Sequence, residues 1–432
     1  MTYSEIDPRF GTWADISQLA EDYDVVLDLM INHISRQSPE FRDFERRGRR
    51  SQYADLFLTV DKIWPSANPS AEDLTRMFLR KPGGPFTTIT VMHTGEKEKV
   101  WTTFGAERTS EQIDIDVNSS VGRALISEWL RLLASHGVKI ARLDAIGYVI
   151  KKAGTSCFMV EPEIYEFLDW VAGVAGAHGL MVLPEIHDNY TTHEKLAAHG
   201  YWSYDFVLPG LVLHSLESRR AQKLASHLSQ SPGRVFTTLD CHDGIPIQPD
   251  LQGILDREEM LDLVELVKGQ GGNVNHLLSG SHFNGLDAHQ LNCTYYAALG
   301  CNDDKYVAAR AIQLFAPGVP QIYYVGLLAG DNDSGATSHV GDGRAINRHN
   351  FTHEEIDLAL MTPVVQRILR LIRLRQSHPA FEGSLEVESG PPGTLRLRWT
   401  RHQDTCELHV DLSSDACLVT TRDHTSSDQF LA

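Results

Sequence analysis

The chain has 432 residues, of which 42% are hydrophobic and 22% charged, and these proportions are typical of a globular protein with a sizeable core. Its formal net charge of −18 argues against nucleic acid and anionic membranes as partners, and no apolar run reaches the length of a membrane span. The start of the chain lacks a secretory signal, and the six scattered cysteines lack CxxC spacing, which argues against disulfides and zinc. We therefore expect a cytoplasmic protein without a bound metal.

Short apolar runs alternate with amphipathic segments, a pattern typical of βα units and a parallel sheet. The apolar runs cover residues 25–31, 138–143, 180–184, 204–208, 235–239 and 319–325. Helices are predicted around 12–22, around 121–136, and from Pro162 to shortly before Gly179. Polar residues follow several of the runs directly, and an α/β barrel builds its active site at that end of its strands.

This alternation breaks in two places. Residues 34–120 are rich in Pro, Gly and Thr and are interpreted as an insertion over one end of the sheet. From about Phe381 onwards, apolar and polar residues alternate as they do in antiparallel strands, notably at 395–399 and 408–412. We therefore predict a separate small β domain at the C-terminus.

Three carboxylates follow predicted strands: Asp144, Glu185 and Asp243. Two carboxylates suffice for retaining glycoside chemistry, because one attacks the anomeric carbon while the other protonates the leaving oxygen. An adjacent Arg142 would keep Asp144 ionised, and partial desolvation would let Glu185 keep its proton. Asp243 would stabilise positive charge that builds on the sugar ring. Each residue alone is more simply a helix cap or a surface group, but together, in strand order, they favour one shared site.

The ordered residues resemble a known family. Asp28, Asn32-His33, Arg142-Leu143-Asp144, Glu185 and His242-Asp243 are similar to the conserved regions of the α-amylase superfamily, glycoside hydrolase family 13. Longer motifs resemble its sucrose phosphorylase branch, at residues 154–158, 293–303, 317–321 with 323–326, and 343–349. The resemblance implies an α/β fold, a (β/α)8 TIM-type barrel with an inserted loop domain and a small C-terminal antiparallel β domain. The implied segments are 1–33 (barrel, from its third strand), 34–120 (inserted B-type domain), 121–380 (rest of the catalytic barrel) and 381–432 (C-terminal β domain).

The resemblance also implies roles for individual residues. Asp144 would be the nucleophile, Glu185 the general acid/base and Asp243 the transition-state stabiliser. The implied substrate-binding residues are His33, Arg142, His242, Arg344, Phe104, Gln112, Asp287, His289 and Gln290. Inorganic phosphate would accept the glucosyl group as co-substrate and give α-glucose 1-phosphate, with no cofactor and no metal. The partners would be a small α-glucoside and phosphate, and family likeness alone suggests a homodimer.

Two departures from the family pattern bear on the acceptor. His289 stands where sucrose phosphorylases carry Tyr, and an additional stretch occupies residues 105–110. Both features resemble the relatives that act on sucrose 6-phosphate or glucosylglycerol. His289 with Arg80, Lys81 or Arg108 could supply charge for a phosphorylated acceptor, although these cations could equally be solvated loop residues. The leaving group could therefore be fructose, fructose 6-phosphate, glycerol or another acceptor.

A third departure concerns the number of strands. Family members have two further barrel strands, and an early Asp that binds glucose, before the segment that matches Tyr3 to Gly11. At roughly 30 residues per βα unit, about 60 residues would be missing. We therefore expect a barrel without its first two strands and an impaired enzyme. The alternatives are an α-glucoside hydrolase or transglucosylase, and an inactive carbohydrate-binding remnant.

Overall fold

The computed structural model describes residues 3–66, 68–81, 83–105, 111–277, 286–336, 342–390, 393–423 and 427–432. The chain divides into two compact units, Met1–Ile186 and His187–Ala432, which are called unit 1 and unit 2 below. Each unit contains a three-stranded parallel sheet flanked by helices.

Unit 1 combines one parallel sheet with two antiparallel strand pairs. Its helices are α1 (Trp13–Asp22), α2 (Pro39–Arg47), α3 (Val60–Ile63), α4 (Ala71–Arg76), α5 (Ser120–Ser135) and α6 (Glu163–Gly176). Its strands are β1 (Val26–Met30), β2 (His33–Ser35), β3 (Phe86–Thr90), β4 (Lys97–Trp101), β5 (Gln112–Asp114), β6 (Ile140–Asp144) and β7 (Met181–Pro184). The parallel sheet has the order β1–β6–β7, while β2 pairs with β5 and β3 with β4 in antiparallel fashion.

Unit 2 contains the second parallel sheet and the C-terminal β structure. Its helices are α7 (Tyr190–Ala198), α8 (Leu208–Ser218), α9 (Gln222–Gln230), α10 (Arg257–Gly269), α11 (Tyr295–Ala298), α12 (Asp303–Phe315), α13 (Tyr324–Leu327), α14 (His353–Leu360) and α15 (Pro363–Ser377). Its strands are β8 (Ser203–Asp205), β9 (Val235–Thr237), β10 (Ile245–Pro246), β11 (Asn273–His276), β12 (Ala288–Asn292), β13 (Val319–Pro320), β14 (Ser384–Gly390), β15 (Thr394–Arg401), β16 (Asp404–Asp411), β17 (Ala416–Arg422) and β18 (Ser427–Leu431). The parallel sheet has the order β13–β9–β8, and β10–β12–β11 form a small antiparallel sheet.

Local capping explains where the predicted helices begin. Thr12 and Asp15 form a reciprocal capping box at the start of α1, in which each side chain accepts the other residue's backbone N–H. The Ser119 hydroxyl accepts the N–H of Gly122 at 2.9 Å and so caps α5. All three helices predicted from the sequence are confirmed, with ends that differ by three residues or fewer.

In two of the apolar runs a helix begins before the run ends, so the strand there is shorter than the sequence predicts. In the run 204–208 the strand ends at Asp205, because its Oδ1 accepts the N–H groups of Val207 (3.2 Å) and Leu208 (3.0 Å), and α8 begins there. In the run 319–325 only Val319–Pro320 forms a strand, and Tyr324 already begins α13. A buried apolar run does not distinguish a strand from the first turn of a helix.

The C-terminal residues form a five-stranded antiparallel meander, β14 to β18 in sequence order. Leu395, Leu397 and Trp399 alternate with outward-facing residues along β15 and are buried, as the sequence pattern predicts. The indole Nε1 of Trp399 donates to the carbonyl of Phe315 at 2.8 Å, which ties the meander to α12.

A fully buried ion pair lies within unit 2. The guanidinium of Arg310 on α12 is 0% exposed, and its Nη2 lies 2.8 and 2.7 Å from the two carboxylate oxygens of Asp240. Tyr306 and Gln313 accept its remaining N–H groups. Because both charges are buried and hydrogen-bonded, loss of either partner would leave the other uncompensated.

Candidate active site

Two of the predicted catalytic carboxylates stand on adjacent parallel strands of unit 1. Asp144 is the last residue of β6, and Glu185 directly follows the last residue of β7. The backbone N–H of Glu185 donates to the carbonyl of Leu143 at 3.1 Å, so the two residues leave the sheet side by side. This edge is the carboxyl end of the sheet, where a barrel of parallel strands presents its catalytic groups.

Arg142 contacts three carboxylates of unit 1 at once. Its Nη1 lies 2.5 Å from Asp28 Oδ1 and 3.5 Å from Asp144 Oδ1, and its Nη2 contacts Glu185 Oε1. The Arg142 side chain is 13% exposed, and that of Glu185 is 10% exposed. A planar guanidinium suits this arrangement because it presents separate N–H groups to separate acceptors. Arg142 therefore holds both predicted catalytic carboxylates in fixed positions.

The chain turns sharply just after Asp144. Ala145 adopts a left-handed conformation with φ of 55°, which is unfavourable for a residue with a side chain. At Gly147, two residues further on, a side chain would collide with the ring of Phe158, which belongs to the 154–158 motif. The motif thus has a local function, because Phe158 packs against the turn that follows Asp144.

His33 and Phe104 lie together in unit 1. Their ring centroids are 5.5 Å apart, and the Phe104 ring also meets Tyr148 edge-on at 5.1 Å. His33 is 4% exposed, and burial is the main reason why its pKa lies below the usual value. Gln112, also predicted to bind substrate, pairs with Ser35 across the β2–β5 ladder. The rings of His33 and Phe104 therefore lie next to each other.

A buried charged pair close to His33 was not predicted from the sequence. Lys151 Nζ lies 2.6 Å from Asp114 Oδ2, with side-chain exposures of 1% and 0%. Asn32 joins them, because its Oδ1 accepts from Lys151 at 2.6 Å and its Nδ2 donates to Asp114 at 3.1 Å. The residues are far apart along the chain, so only the folded structure brings them together.

The third predicted catalytic carboxylate, Asp243, lies in unit 2 after β9. Its Oδ1 accepts from Arg344 Nη1 at 3.0 Å and from Arg348 Nη2 at 3.2 Å, and His242 Nε2 lies 3.6 Å from its Oδ2. Asp342 in turn holds Arg344 through contacts of 3.0 to 3.3 Å. The predicted residues Asp243, His242 and Arg344 are therefore brought together, and Arg348 joins them as an unpredicted second arginine.

These cations keep Asp243 ionised. Burial raises the pKa of its carboxyl, but the charges of His242 and Arg344 outweigh this cost and leave the pKa below its usual value. Arg348 and His187 act in the same direction. An anion is the form that could stabilise a positively charged sugar ring.

Three further predicted residues occupy or border β12 in unit 2. His289 is 2% exposed, and its Nδ1 lies 2.6 Å from the carbonyl of Gln248, so this nitrogen carries the ring proton when the ring is neutral. Gln290 is 3% exposed and pairs with Pro246. Asp287 is more exposed and lies 3.1 Å from His276.

Arg80 and Lys81, which the sequence suggests as cations for a phosphorylated acceptor, have different environments. The Arg80 guanidinium lies 5.7 Å from the centre of the Phe104 ring. Lys81 is 2% exposed, donates to Thr102 Oγ1 at 2.5 Å, and has a pKa lowered by burial, so it is not a solvated loop cation. Arg108 lies outside the described residues.

Two other kinds of feature are absent from the described ranges. There, no group of three or more His, Cys, Asp or Glu side chains could hold a metal ion. Likewise, no helix in that part of the chain is both long and apolar enough to cross a membrane.

Comparisons with known sequences give consistent results. The family described as "Alpha amylase, catalytic domain" matches residues 1–209. A sucrose 6(F)-phosphate phosphorylase of Thermoanaerobacterium thermosaccharolyticum is 49% identical, over 96% of this chain and 85% of that protein. A glucosylglycerol phosphorylase of Marinobacter adhaerens is 42% identical, over 98% of this chain and 86% of that protein. A sucrose phosphorylase of Streptococcus mutans is also 42% identical, over 98% and 88%.

Solved structures agree with the sequence comparisons. The crystal structure of the T. thermosaccharolyticum sucrose 6F-phosphate phosphorylase superposes with a TM-score of 0.97 and 47% identity, over 100% of this chain and 88% of that one. An α-amylase from H. orenii shares the fold at a TM-score of 0.67 and 17% identity, over 95% and 76%. The chain therefore has the α-amylase barrel fold with a C-terminal antiparallel sheet, and it belongs to the sucrose phosphorylase branch of the α-amylase superfamily.

Proposed function

We propose that this enzyme catalyses retaining phosphorolysis of a sucrose-type α-glucoside, giving α-glucose 1-phosphate and the released acceptor. The observation that carries the proposal is the pair Asp144 and Glu185 at neighbouring strand ends, both in contact with Arg142. The phosphorylase names of relatives that are up to 49% identical support the same reaction.

The reaction has two displacements. In the first, a carboxylate oxygen of Asp144 attacks the anomeric carbon, the glycosidic bond breaks, and Glu185 gives its proton to the leaving oxygen. In the second, Glu185 takes a proton from the incoming phosphate, whose oxygen attacks the anomeric carbon and displaces Asp144. Two inversions retain the α configuration. No cofactor is consumed, and phosphate is a co-substrate.

The remaining predicted residues bind the sugar and its transition state. Arg142 lies 3.5 Å from Asp144 and orients it, and the anionic Asp243 stabilises the oxocarbenium-like ring. His33 and Phe104 contact the glucosyl ring in this proposal: Phe104 stacks on the ring, and His33 offers a polar group to it. His242 and Arg344 flank Asp243 and are assigned to the same ring.

For the leaving group, we propose fructose 6-phosphate, released from sucrose 6-phosphate. The 49% identical relative is named for that substrate, and by resemblance the buried His289 stands where sucrose phosphorylases carry Tyr. Gln112, Asp287 and Gln290 are assigned to substrate binding, as the resemblance to the family implies. The 42% identical glucosylglycerol phosphorylase makes glucosylglycerol the second candidate.

The test is a product assay with matched donors. The chain is incubated with phosphate and, separately, sucrose, sucrose 6-phosphate or glucosylglycerol, and α-glucose 1-phosphate and free glucose are quantified. We expect α-glucose 1-phosphate, fastest from sucrose 6-phosphate, and none when phosphate is omitted. Free glucose alone would replace the proposal with a hydrolase, and thermal stabilisation by sugar without turnover would replace it with a binding remnant. Light scattering on the same sample tests whether the chain forms the homodimer that family likeness suggests.

A further inference from the structure

The buried network below His33 has a definite hydrogen-bond direction. Lys151 contacts Asn32 Oδ1 at 2.6 Å, and the other amide atom, Asn32 Nδ2, lies 3.1 Å from Asp114 Oδ2. An ammonium group only donates hydrogen bonds, so the atom facing Lys151 must be the amide oxygen. Asp114 acts only as an acceptor, because it also receives the backbone N–H of Thr103 at 2.9 Å and its hydroxyl at 2.5 Å. Both neighbours therefore impose the same orientation on the Asn32 amide.

This orientation determines which nitrogen of His33 carries the proton. The Asn32 Nδ2 group lies 3.3 Å from His33 Nδ1. Since an NH2 group can only donate, Nδ1 must offer its lone pair, and the proton of the neutral ring is then on Nε2. Nε2 is buried and has no hydrogen-bond partner among the described residues, so its N–H is left for a ligand.

The environment of His33 favours the neutral ring. Burial lowers its pKa most strongly, and Lys151 lowers it further, while Asp114 and Asp144 raise it. Together these effects leave the pKa of His33 below the usual value for histidine. A neutral ring with a defined tautomer is what a directional hydrogen bond to a hydroxyl oxygen requires.

We propose that Lys151 and Asp114 are positioning residues that set the tautomer of His33 through Asn32, so that His33 Nε2–H donates to an oxygen of the bound sugar. The proposal rests on the proposed function only in the last step, the presence of a sugar at His33. Neither Lys151 nor Asp114 touches the substrate in this scheme.

The tautomer itself is measurable without any substrate. In the full chain with 15N-labelled histidine, NMR correlations of ring nitrogens with ring protons distinguish protonated from bare nitrogens, and His33→Gln identifies the signals of His33. We expect a proton on Nε2 and a bare Nδ1 near neutral pH. A proton on Nδ1 instead would overturn the proposal, whatever the enzyme's activity.

Two variants test the relay. Asn32→Asp replaces the donor at Nδ1 with a carboxylate oxygen, so we expect the proton to move to Nδ1. Lys151→Met removes one of the two groups that orient the amide and leaves only Asp114, so we expect a smaller excess of the Nε2–H tautomer. Lys152→Met is the matched control, because Lys152 is 53% exposed and pairs only with Glu163 among the described residues. An Nε2–H tautomer retained in both folded variants would refute the relay.

Kinetics then link the tautomer to catalysis. We expect Lys151→Met to lower kcat/KM for phosphorolysis at least about tenfold, which is the equivalent of one lost hydrogen bond. The factor should be the same for every glucosyl donor, because all of them contain the same glucosyl ring. Lys151→Arg, which keeps a donor-only cation, should recover part of the loss. If the wild type is active and Lys151→Met is equally active, the role of Lys151 is wrong but the proposed function stands. If the wild type is inactive and His33 still has the expected tautomer, only the proposed function is wrong.

Discussion

The charged groups assigned to the sugar are held in different ways in the two units. In unit 1 a single guanidinium, Arg142, serves three carboxylates and is 13% exposed. In unit 2 two arginines, Arg344 and Arg348, serve one oxygen of Asp243 and are 38% and 33% exposed. The first arrangement has no substitute for its cation, whereas the second is redundant and open to water. We therefore expect the charged cluster around Arg142 to tolerate substitution much less well than the cluster around Asp243.

The largest effect is expected for Asp144→Ala. If Asp144 forms the covalent intermediate, the variant should lose at least about three orders of magnitude in kcat, because no other group replaces the nucleophile. The Tm should change little, since the side chain is 29% exposed and lies 3.5 Å from its cation. Phosphorolysis rates and thermal unfolding measure the two quantities, and near-normal turnover would rule out Asp144 as the nucleophile.

Glu185→Gln should show a loss that depends on the leaving group. Phosphorolysis of a sucrose-type donor needs a proton on the departing oxygen, and glutamine cannot supply it, so we expect at least a hundredfold loss (about 10²). α-Glucosyl fluoride, whose fluoride departs unaided, should lose far less in the first step. Equal losses for both donors in single-turnover measurements would count against Glu185 as the acid.

Arginine-to-lysine exchange compares the two units directly. Arg142→Lys should lower kcat/KM about 10²-fold, because a single ammonium cannot reach Asp28, Asp144 and Glu185 together. Arg348→Lys, the matched change in unit 2, should cost about tenfold or less, because Arg344 still contacts Asp243. Similar losses in both variants would remove the contrast between the units.

The smallest expected effect concerns pH and the surface of unit 2. His349 lies 2.7 Å from Asp333 and 3.3 Å from Glu355, and the hydrogen bond to Asp333 is the main cause that raises its pKa. A raised pKa means that protonated His349 stabilises the fold below about pH 6.5, and that this contribution disappears as pH rises through the folded-state pKa. His349→Gln should therefore lower the Tm by about 1–2 °C at pH 5.5 and not at pH 9. A loss that is equal at both pH values would show that the charge contributes nothing.

The sequence predicts the helices and strands better than it predicts which side chains contact one another. All six apolar runs contain a parallel strand, because a short run of apolar residues is a local signal of a strand. The strand at 204–208 ends early because one side chain, Asp205, caps the next helix, which composition does not reveal. The site residues were named by resemblance, and their roles stay predictions. The network of Asn32, Asp114 and Lys151 could not be foreseen, because three distant segments supply it.

The buried pair of Arg310 and Asp240 has a consequence for natural variation and for directed evolution. A Cβ added at Gly326 would occupy the space of both the guanidinium and the carboxylate. Tyr306, which contacts the guanidinium, also donates its hydroxyl to the carbonyl of Gly326 at 2.5 Å. Position 326 is thus coupled to a charge pair more than ten positions away along the chain. In a mutant library, side chains at 326 should survive only when 240 and 310 change with it, so the three positions should be randomised as one set.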